Sequence, residues 1–441
     1  MMARSLNVWI NQALIGVLTE QNNLWSFTYS SLWLAHDSAY PLCPGLPLQA
    51  EPHVDGASIR PVQWYFDNLL PEEGQRVLIA EAAKIPQADA FGLLEHYGAE
   101  SAGSLTLLAP GHTPAQGDYQ PLPDPVLAER IRKMPKVALA AQAQKRMSLA
   151  GAQHKVAVTL DGSTLLEPTG NAPSTHILKP DHPEQRFAHS VINEYAIMSL
   201  ARRVGLTVPS VQRRYVPQPI YLVERFDRQR TSHDTLRLHA IDACQMLNID
   251  RIFKYSAGSV PVLRDLAEAC TLPAVAKAAL FNWLVFNVIT GNTDAHLKNL
   301  SLMATPQGYQ LAPFYDLLCT AIYQTRMFDK PDWPDDVSMA WPIVGVSRLS
   351  DIETDTLIEA GGQLGITATT SRNLLARMIK AMQRHTPLLF QQLHEESQAM
   401  SREQPELRAT LAGEARLLRG IEHTVIRETL ERLAGNERPA G

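Results

Sequence analysis

The sequence predicts an α+β chain of two lobes, and three observations carry that prediction. Short alternating apolar runs, the period of half-buried strands, fill the first half. Apolar residues at helical spacing dominate from Arg237 to the end. The length of 441 residues exceeds one small domain and implies two or three. A strand-rich half followed by a helix-rich half is the α+β pattern, and a nucleotide fits a cleft between two such lobes.

The first 30 residues read as a strand meander. Leu6, Val8 and Ile10 alternate with polar residues, Ala13 to Leu18 follows, and Trp25, Phe27 and Tyr29 alternate after a turn at Asn22-Asn23. Residues 40–63, rich in Pro and Gly, read as irregular connection. Helices are expected over Pro71 to Ala83, with acidic residues in the first turn, and over Ala90 to Tyr97. Ser104 to Leu108 is a short strand closed by Pro110-Gly111, and the first boundary is expected within Pro110 to Pro125.

In the next segment Lys155 to Leu160 alternates and ends at Asp161-Gly162, a hairpin signal, with Thr164 to Glu167 as the return strand. Ser174 to Lys179 is a further strand. Ser190 to Val204 has helical spacing and stops at Gly205. Val211 to Tyr215 and Ile220 to Val223 complete the strands. Beyond Arg237 the pattern is almost wholly helical: Val262 to Ala269, Ala274 to Ile289, Ser371 to Arg384 and Leu407 to Leu433, with Lys330 to Pro342 as an excursion loop. The expected divisions are 1–112, 136–226 and 227–441.

Composition removes several function classes. With 45% hydrophobic residues the chain is no disordered polymer. Net charge is −5, from 40 basic and 45 acidic residues, so the surface as a whole is not built for nucleic acid. No unbroken run approaches the roughly 18 to 20 apolar residues of a membrane span, since Asn282 and Asn287 interrupt the most apolar stretch. The first residues lack the apolar core of a signal peptide. The four cysteines, Cys43, Cys244, Cys270 and Cys319, lie far apart, which argues against a zinc site or disulfide scaffold and fits a reducing cytoplasm.

The chemistry concentrates in Gly291 to Asn299 (GNTDAHLKN), directly after an apolar helix. Asp294 and Asn299 have the spacing of a phosphoryl-transfer loop, where an Asp accepts the substrate hydroxyl's proton and an Asn holds magnesium. His296 and Lys298 add donors for developing phosphate charge. The same run also reads as a polar loop capping the helix. Asp316, after Phe314-Tyr315, stands where a kinase keeps its second magnesium ligand, and it also reads as a turn aspartate. Lys179 ends a strand upstream of a helix carrying Glu194. That is the arrangement of a phosphate-binding lysine and its glutamate, or of a solvated strand end beside an exposed helix face. Tyr221 to Phe226 reads as a hinge. Ser148 to Lys155 (SLAGAQHK) is neither a Walker A nor a G-x-G-x-x-G loop, though Gly151 lets backbone N–H groups approach phosphates.

Together these blocks resemble the HipA family of serine/threonine kinase toxins from type II toxin–antitoxin modules. The resemblance is carried by WYFDNLLPEEGQR (64–76), GSLTLLAPG (103–111), MSLAGAQHK, THILKP, SVINEYAIMSLARRVGL, VERFDR, GNTDAHLKN and LAPFYD, in order, over nearly the full length. It implies a two-lobed, protein-kinase-like fold with a β-rich N-terminal subdomain and a mostly helical C-terminal lobe. It implies an ATP- and Mg2+-dependent protein serine/threonine kinase.

By position, Asp294 resembles the family's catalytic base, and Asn299 and Asp316 its magnesium ligands. Lys179 resembles the lysine on the ATP phosphates, and Glu224, Arg225 and Phe226 the adenine hinge. Ala150, Gly151, Ala152, Gln153, His154 and Lys155 resemble the phosphate loop. His296, Lys298 and Tyr315 fall in the nucleotide-binding set. Ser148 resembles the serine that family members autophosphorylate, silencing the kinase; its phosphate would add about −1.5 to −2 charge. Family members modify aminoacyl-tRNA synthetases, and they bind a HipB-like helix-turn-helix antitoxin through which the complex reaches operator DNA. A kinase-like corepressor and a small-molecule kinase are the competing functions. Asp294→Ala and a comparison of phosphoproteomes separate them from a protein kinase.

Overall fold

The computed structural model describes every residue except 1–2, 135, 140–142, 144–146, 148, 150, 152, 232–233, 331–332 and 436–441. The chain folds as two compact units: Met1–Pro180 with Leu222–Phe253 and Ser301–Ala312, and Asp181–Tyr221 with Lys254–Leu300 and Pro313–Gly441.

In the first unit the expected meander is an antiparallel sheet. Its order is His53–Val54, Leu24–Tyr29, Ala13–Gln21, Arg4–Ile10 and Leu105–Leu108. Asn11, Asn22 and Asn23 take positive φ in the hairpin turns, a conformation asparagine tolerates better than most residues. Gly16 is required by close approach, because a Cβ there would lie 2.3 Å from the Thr28 carbonyl oxygen. Leu6, Val8, Trp25 and Phe27 fill one face and are buried. Helices Pro61–Asp67, Glu73–Ala83 and Ala90–Tyr97 belong to the same unit, with Phe66 tilted on Phe27 and Phe91 edge-on to Trp25. The Pro71 start expected for the second helix moves to Glu73, and the connection expected over 40–63 holds the strand His53–Val54 and ends in the start of the Pro61–Asp67 helix.

The second sheet of this unit sets Tyr119–Pro121, Thr164–Pro168, Val156–Asp161, His176–Pro180 and the end of Pro219–Glu224 side by side. Pairing of Val156 with Leu178 fixes its register around Lys179. The helical reading beyond Arg237 is corrected here. Ala240–Asp242, Ser301–Thr305 and Gly308–Leu311 form a three-stranded antiparallel sheet. These strands have three to five residues, too few to establish a period in sequence.

The second unit is mainly helical: Ser190–Arg203, Val260–Glu268, Pro273–Thr290, Thr354–Gln363, Ala368–Glu403, Arg408–Gly420 and Arg427–Gly435. Ala368–Glu403 runs well past its expected end, with Pro387 inside it. Pro273–Thr290 is apolar almost all round and is the core helix. Among the described residues it is also the one helix with the length and composition of a membrane span, but 61% of it is buried inside the protein. The Lys330 to Pro342 loop is corrected in part, since Ser338–Ile343 is a strand paired with Val346–Arg348.

Candidate active site

The candidate catalytic loop starts where the core helix stops. Gly291 takes φ +61° and closes the helix by donating to the carbonyls of Asn287 and Val288. A Cβ at 291 would meet Ala321 and Val425 at 2.7 and 2.8 Å. Asn287, which breaks the apolar run in sequence, is buried. Its side chain donates to Trp283 O, and its Oδ1 accepts from Asn292 Nδ2 at 2.8 Å. Asn292 Oδ1 accepts from the Asp294 N–H at 3.2 Å. Thr320 adds a second tether, its hydroxyl meeting the N–H and hydroxyl of Thr293 at 2.6 and 2.7 Å.

The loop is closed on itself. His296 N–H donates to Asp294 O at 2.8 Å, and Asn299 Nδ2 donates to the same carbonyl at 2.9 Å. The five-residue spacing therefore folds into one tight turn, with Asn299 buried and Asp294 half-buried. Tyr315 OH donates to Lys298 O at 2.8 Å, and Asn292 Nδ2 reaches Asp316 O at 3.4 Å. Phe314 stacks on Trp283 of the core helix. Asn193 grips Cys319 in both directions, donating to its carbonyl and accepting from its N–H. These contacts bring Asp294, His296, Lys298, Asn299, Tyr315 and Asp316 together in one cluster of the second unit.

Asp316 has φ +53°, the left-handed conformation that aspartate tolerates. Burial, with the Glu194 and then the Asp316 carboxylate nearby, raises the Tyr221 phenol well above its usual range. Glu194, expected on an exposed helix face or in an ion pair, is buried in this neighbourhood.

Asn299 and Asp316 offer one amide oxygen and one carboxylate. That donor set suits magnesium, which keeps waters and substrate phosphate oxygens for its remaining positions. Among the described residues no cluster of three or more His, Cys, Asp or Glu could hold a metal ion.

The first unit holds the other sequence candidates. Lys179 is buried near the end of its strand. Gly151 has φ +105° and bridges to Pro71, its carbonyl accepting from Glu72 N–H at 3.3 Å. A Cβ there would lie 2.6 Å from Lys155 Nζ, so Lys155 folds back over Gly151. His154 is buried and Gln153 half-buried. Ser148, Ala150 and Ala152 lie outside the described residues.

In the hinge, Glu224 is exposed and Phe226 half-buried. Arg225 is buried: its N–H bonds Thr175 O, and its guanidinium reaches Asp227, Glu100, Ser174 and Ser101 O. Arg228 and Arg237 converge on the same fully buried Glu100. The opposed charges hold the Asp227 carboxyl below its usual range despite burial. The side chain of Arg225 thus belongs to a structural ion cluster.

Sequence reasoning passed over Asn193, Asn292, Thr320, Tyr255 and Trp341. Tyr255 OH donates to Asp294 Oδ1 at 2.6 Å, and Trp341 Nε1 donates to Ala295 O at 3.1 Å. The usable signal for Asn287 was a polar residue inside an otherwise apolar helix.

Comparison with known proteins completes the picture. Residues 6–108 match the HipA N-terminal domain, and residues 147–386 match the HipA-like C-terminal domain. The chain belongs to the HipA family. It is 36% identical over 337 residues to the putative kinase Y4mE of Sinorhizobium fredii, covering 73% of this chain and 79% of that one. It is 29% identical over 340 residues to the serine/threonine-protein kinase toxin HipA of Shewanella oneidensis, covering 73% and 76%. Among solved structures, HipA of Shewanella oneidensis MR-1, in complex with HipB and its operator DNA, superposes with TM-score 0.77 at 24% identity. That match covers 98% of this chain and 97% of the other. The fold is that of HipA, and the family is one of serine/threonine kinase toxins of toxin–antitoxin systems.

Proposed function

We propose that this chain is an ATP- and Mg2+-dependent serine/threonine protein kinase acting as the toxin of a HipBA-like module. One observation carries the reading. The Asp294–Asn299 turn is closed through the Asp294 carbonyl, and Asn292 bonds both the Asp294 N–H and Asp316 O, which supports reading Asp294 as the base and Asn299 and Asp316 as the ligands. Bound ATP with magnesium supplies the transferable phosphoryl group and neutralises part of its charge.

The protein's own residues position and polarise. Asp294 orients the acceptor hydroxyl and takes its proton. Asn299 and Asp316 hold magnesium, and their tethers fix that geometry before substrate arrives. Lys179 pairs with phosphate oxygens, its burial keeping the ammonium poorly hydrated and its charge effective. Gly151 to Lys155 covers the phosphates, and the backbone of the 224–226 segment receives adenine. Ser148 is the autophosphorylated residue. The acceptor protein is a translation factor such as an aminoacyl-tRNA synthetase, and the partner is a HipB-like antitoxin that carries the complex to operator DNA. Family membership and the toxin name of the Shewanella oneidensis relative support the kinase toxin role, and the complex of that organism's HipA with HipB and operator DNA supports the partner.

Mass spectrometry after incubation with γ-labelled ATP and Mg2+ tests the reading. Phosphate is expected on Ser148 in the wild type and on no residue in Asp294→Ala. Equal labelling of the two proteins would remove Asp294 as the base.

A further inference from the structure

One segment of the second unit wraps the candidate catalytic loop and has no assigned role. Lys254 O accepts from Leu297 N–H at 3.1 Å, so the segment is hydrogen-bonded to the loop's backbone. Trp341 locks both together: its indole N–H donates to Ala295 O, and its ring lies where a Cβ on Gly258 would come within 2.4 Å. Between these fixed points stands Tyr255. Its ring packs edge-on against His296, with centroids 4.9 Å apart, and Lys254 Nζ sits 5.1 Å over its face. Its hydroxyl ends 2.6 Å from Asp294 Oδ1. A separation that short between a phenol and a carboxylate is a charge-assisted hydrogen bond.

We propose that Tyr255 is a positioning residue for phosphoryl transfer, holding the Asp294 carboxylate through Oδ1 so that the acceptor hydroxyl meets the other oxygen. The inference rests on Asp294 being the base. A carboxylate has two rotatable torsions and two equivalent oxygens, and a base is useful only while one of them faces the acceptor. The phenol removes that freedom from one side. In the step, the acceptor oxygen forms a bond to the γ-phosphorus of ATP as the bond to the departing ADP oxygen breaks. The acceptor proton passes to the other oxygen of the Asp294 carboxylate, Oδ2. Tyr255 keeps its own proton throughout and touches none of the reacting atoms, so its influence runs only through Asp294.

Tyr255→Phe separates this role from packing, because it removes the hydroxyl and keeps the ring on His296. The readouts are kcat and KM for ATP in Mg2+-dependent release of labelled phosphate and in self-labelling of the full-length chain, with thermal unfolding alongside. The expected result is a fall in kcat of about tenfold, with KM for ATP within about twofold and an unchanged melting temperature. Tyr255→Ala should be no better than Tyr255→Phe in kcat. If Phe matches the wild type and Ala alone is impaired, the ring matters only as packing and the proposal is overturned. If Asp294→Ala keeps wild-type turnover, or the wild type releases and transfers no label, the reading of the site fails and the proposal falls with it.

Discussion

Among individual residues, the site depends on amide side chains that hold backbone in place. Asn299 donates from Nδ2 to Asp294 O, and its Oδ1 is the atom to which the proposed magnesium role falls. Asn299→Ala should raise the Mg2+ concentration for half-maximal phosphoryl transfer by at least about tenfold. Asp316→Asn should do the same, and a Mg2+ titration at saturating ATP reads both. An unchanged Mg2+ requirement in both variants would remove the pair as ligands. Asn292 acts one step back. It bonds Asn287, the Asp294 N–H and Asp316 O from one buried position. Asn292→Ala leaves these groups short of partners and should cost about 1–3 kcal/mol in urea unfolding, with transfer reduced as well.

Elements matter through where they end. The helix Pro273–Thr290 is buried at every position from Trp283 to Thr290, so its end is a fixed point, and Gly291 turns the chain sharply from it. Gly291→Ala adds a methyl 2.7 Å from Ala321 Cβ at a residue already in the left-handed region. It should destabilise the chain by about 2 kcal/mol or more and reduce transfer, measured by thermal unfolding and labelled ATP. In the first unit the strand carrying Lys179 has its register set by Val156 to Val158 against His176 to Leu178. Elements with long or strongly periodic patterns were legible: Ala90–Tyr97 matches its expected bounds, and the strands Arg4–Ile10 and Leu24–Tyr29 fall where alternation put them. The strands Ala240–Asp242 and Ser301–Thr305 were not, because three to five residues pair only when a distant partner is supplied.

The chain as a whole contains ionisable groups whose burial makes stability depend on pH. In the second unit Glu414 accepts from Tyr215 OH and Arg213, yet burial outweighs both and its carboxyl is pushed up to about 7. Burial also raises Asp181 to about 6. A carboxyl with a raised folded pKa binds its proton more tightly when folded. Its contribution is therefore present in full below the unfolded value, near 4, and is lost as pH rises through the folded value. Glu414→Gln removes that loss while keeping an acceptor for Tyr215 and Arg213. Relative to the wild type it should gain stability between pH 5 and pH 8, by about 1–3 kcal/mol, as read by denaturant unfolding at each pH. A constant difference across that range would show that Glu414 does not titrate there.

By itself the sequence determined the α+β order of elements, the family blocks, and the separation of Asp294, Asn299 and Asp316. Those features live in local spacing and in residue type, which the chain carries whatever its surroundings. Tertiary structure alone decided that Asn287, Asn292 and Thr320 brace the loop, that Tyr255 and Trp341 reach it from distant segments, and that Arg225 serves a buried ion cluster. A hydrogen bond between residues 39 or 46 positions apart leaves no period to read. It exists because packing of distant segments brings donor and acceptor within reach.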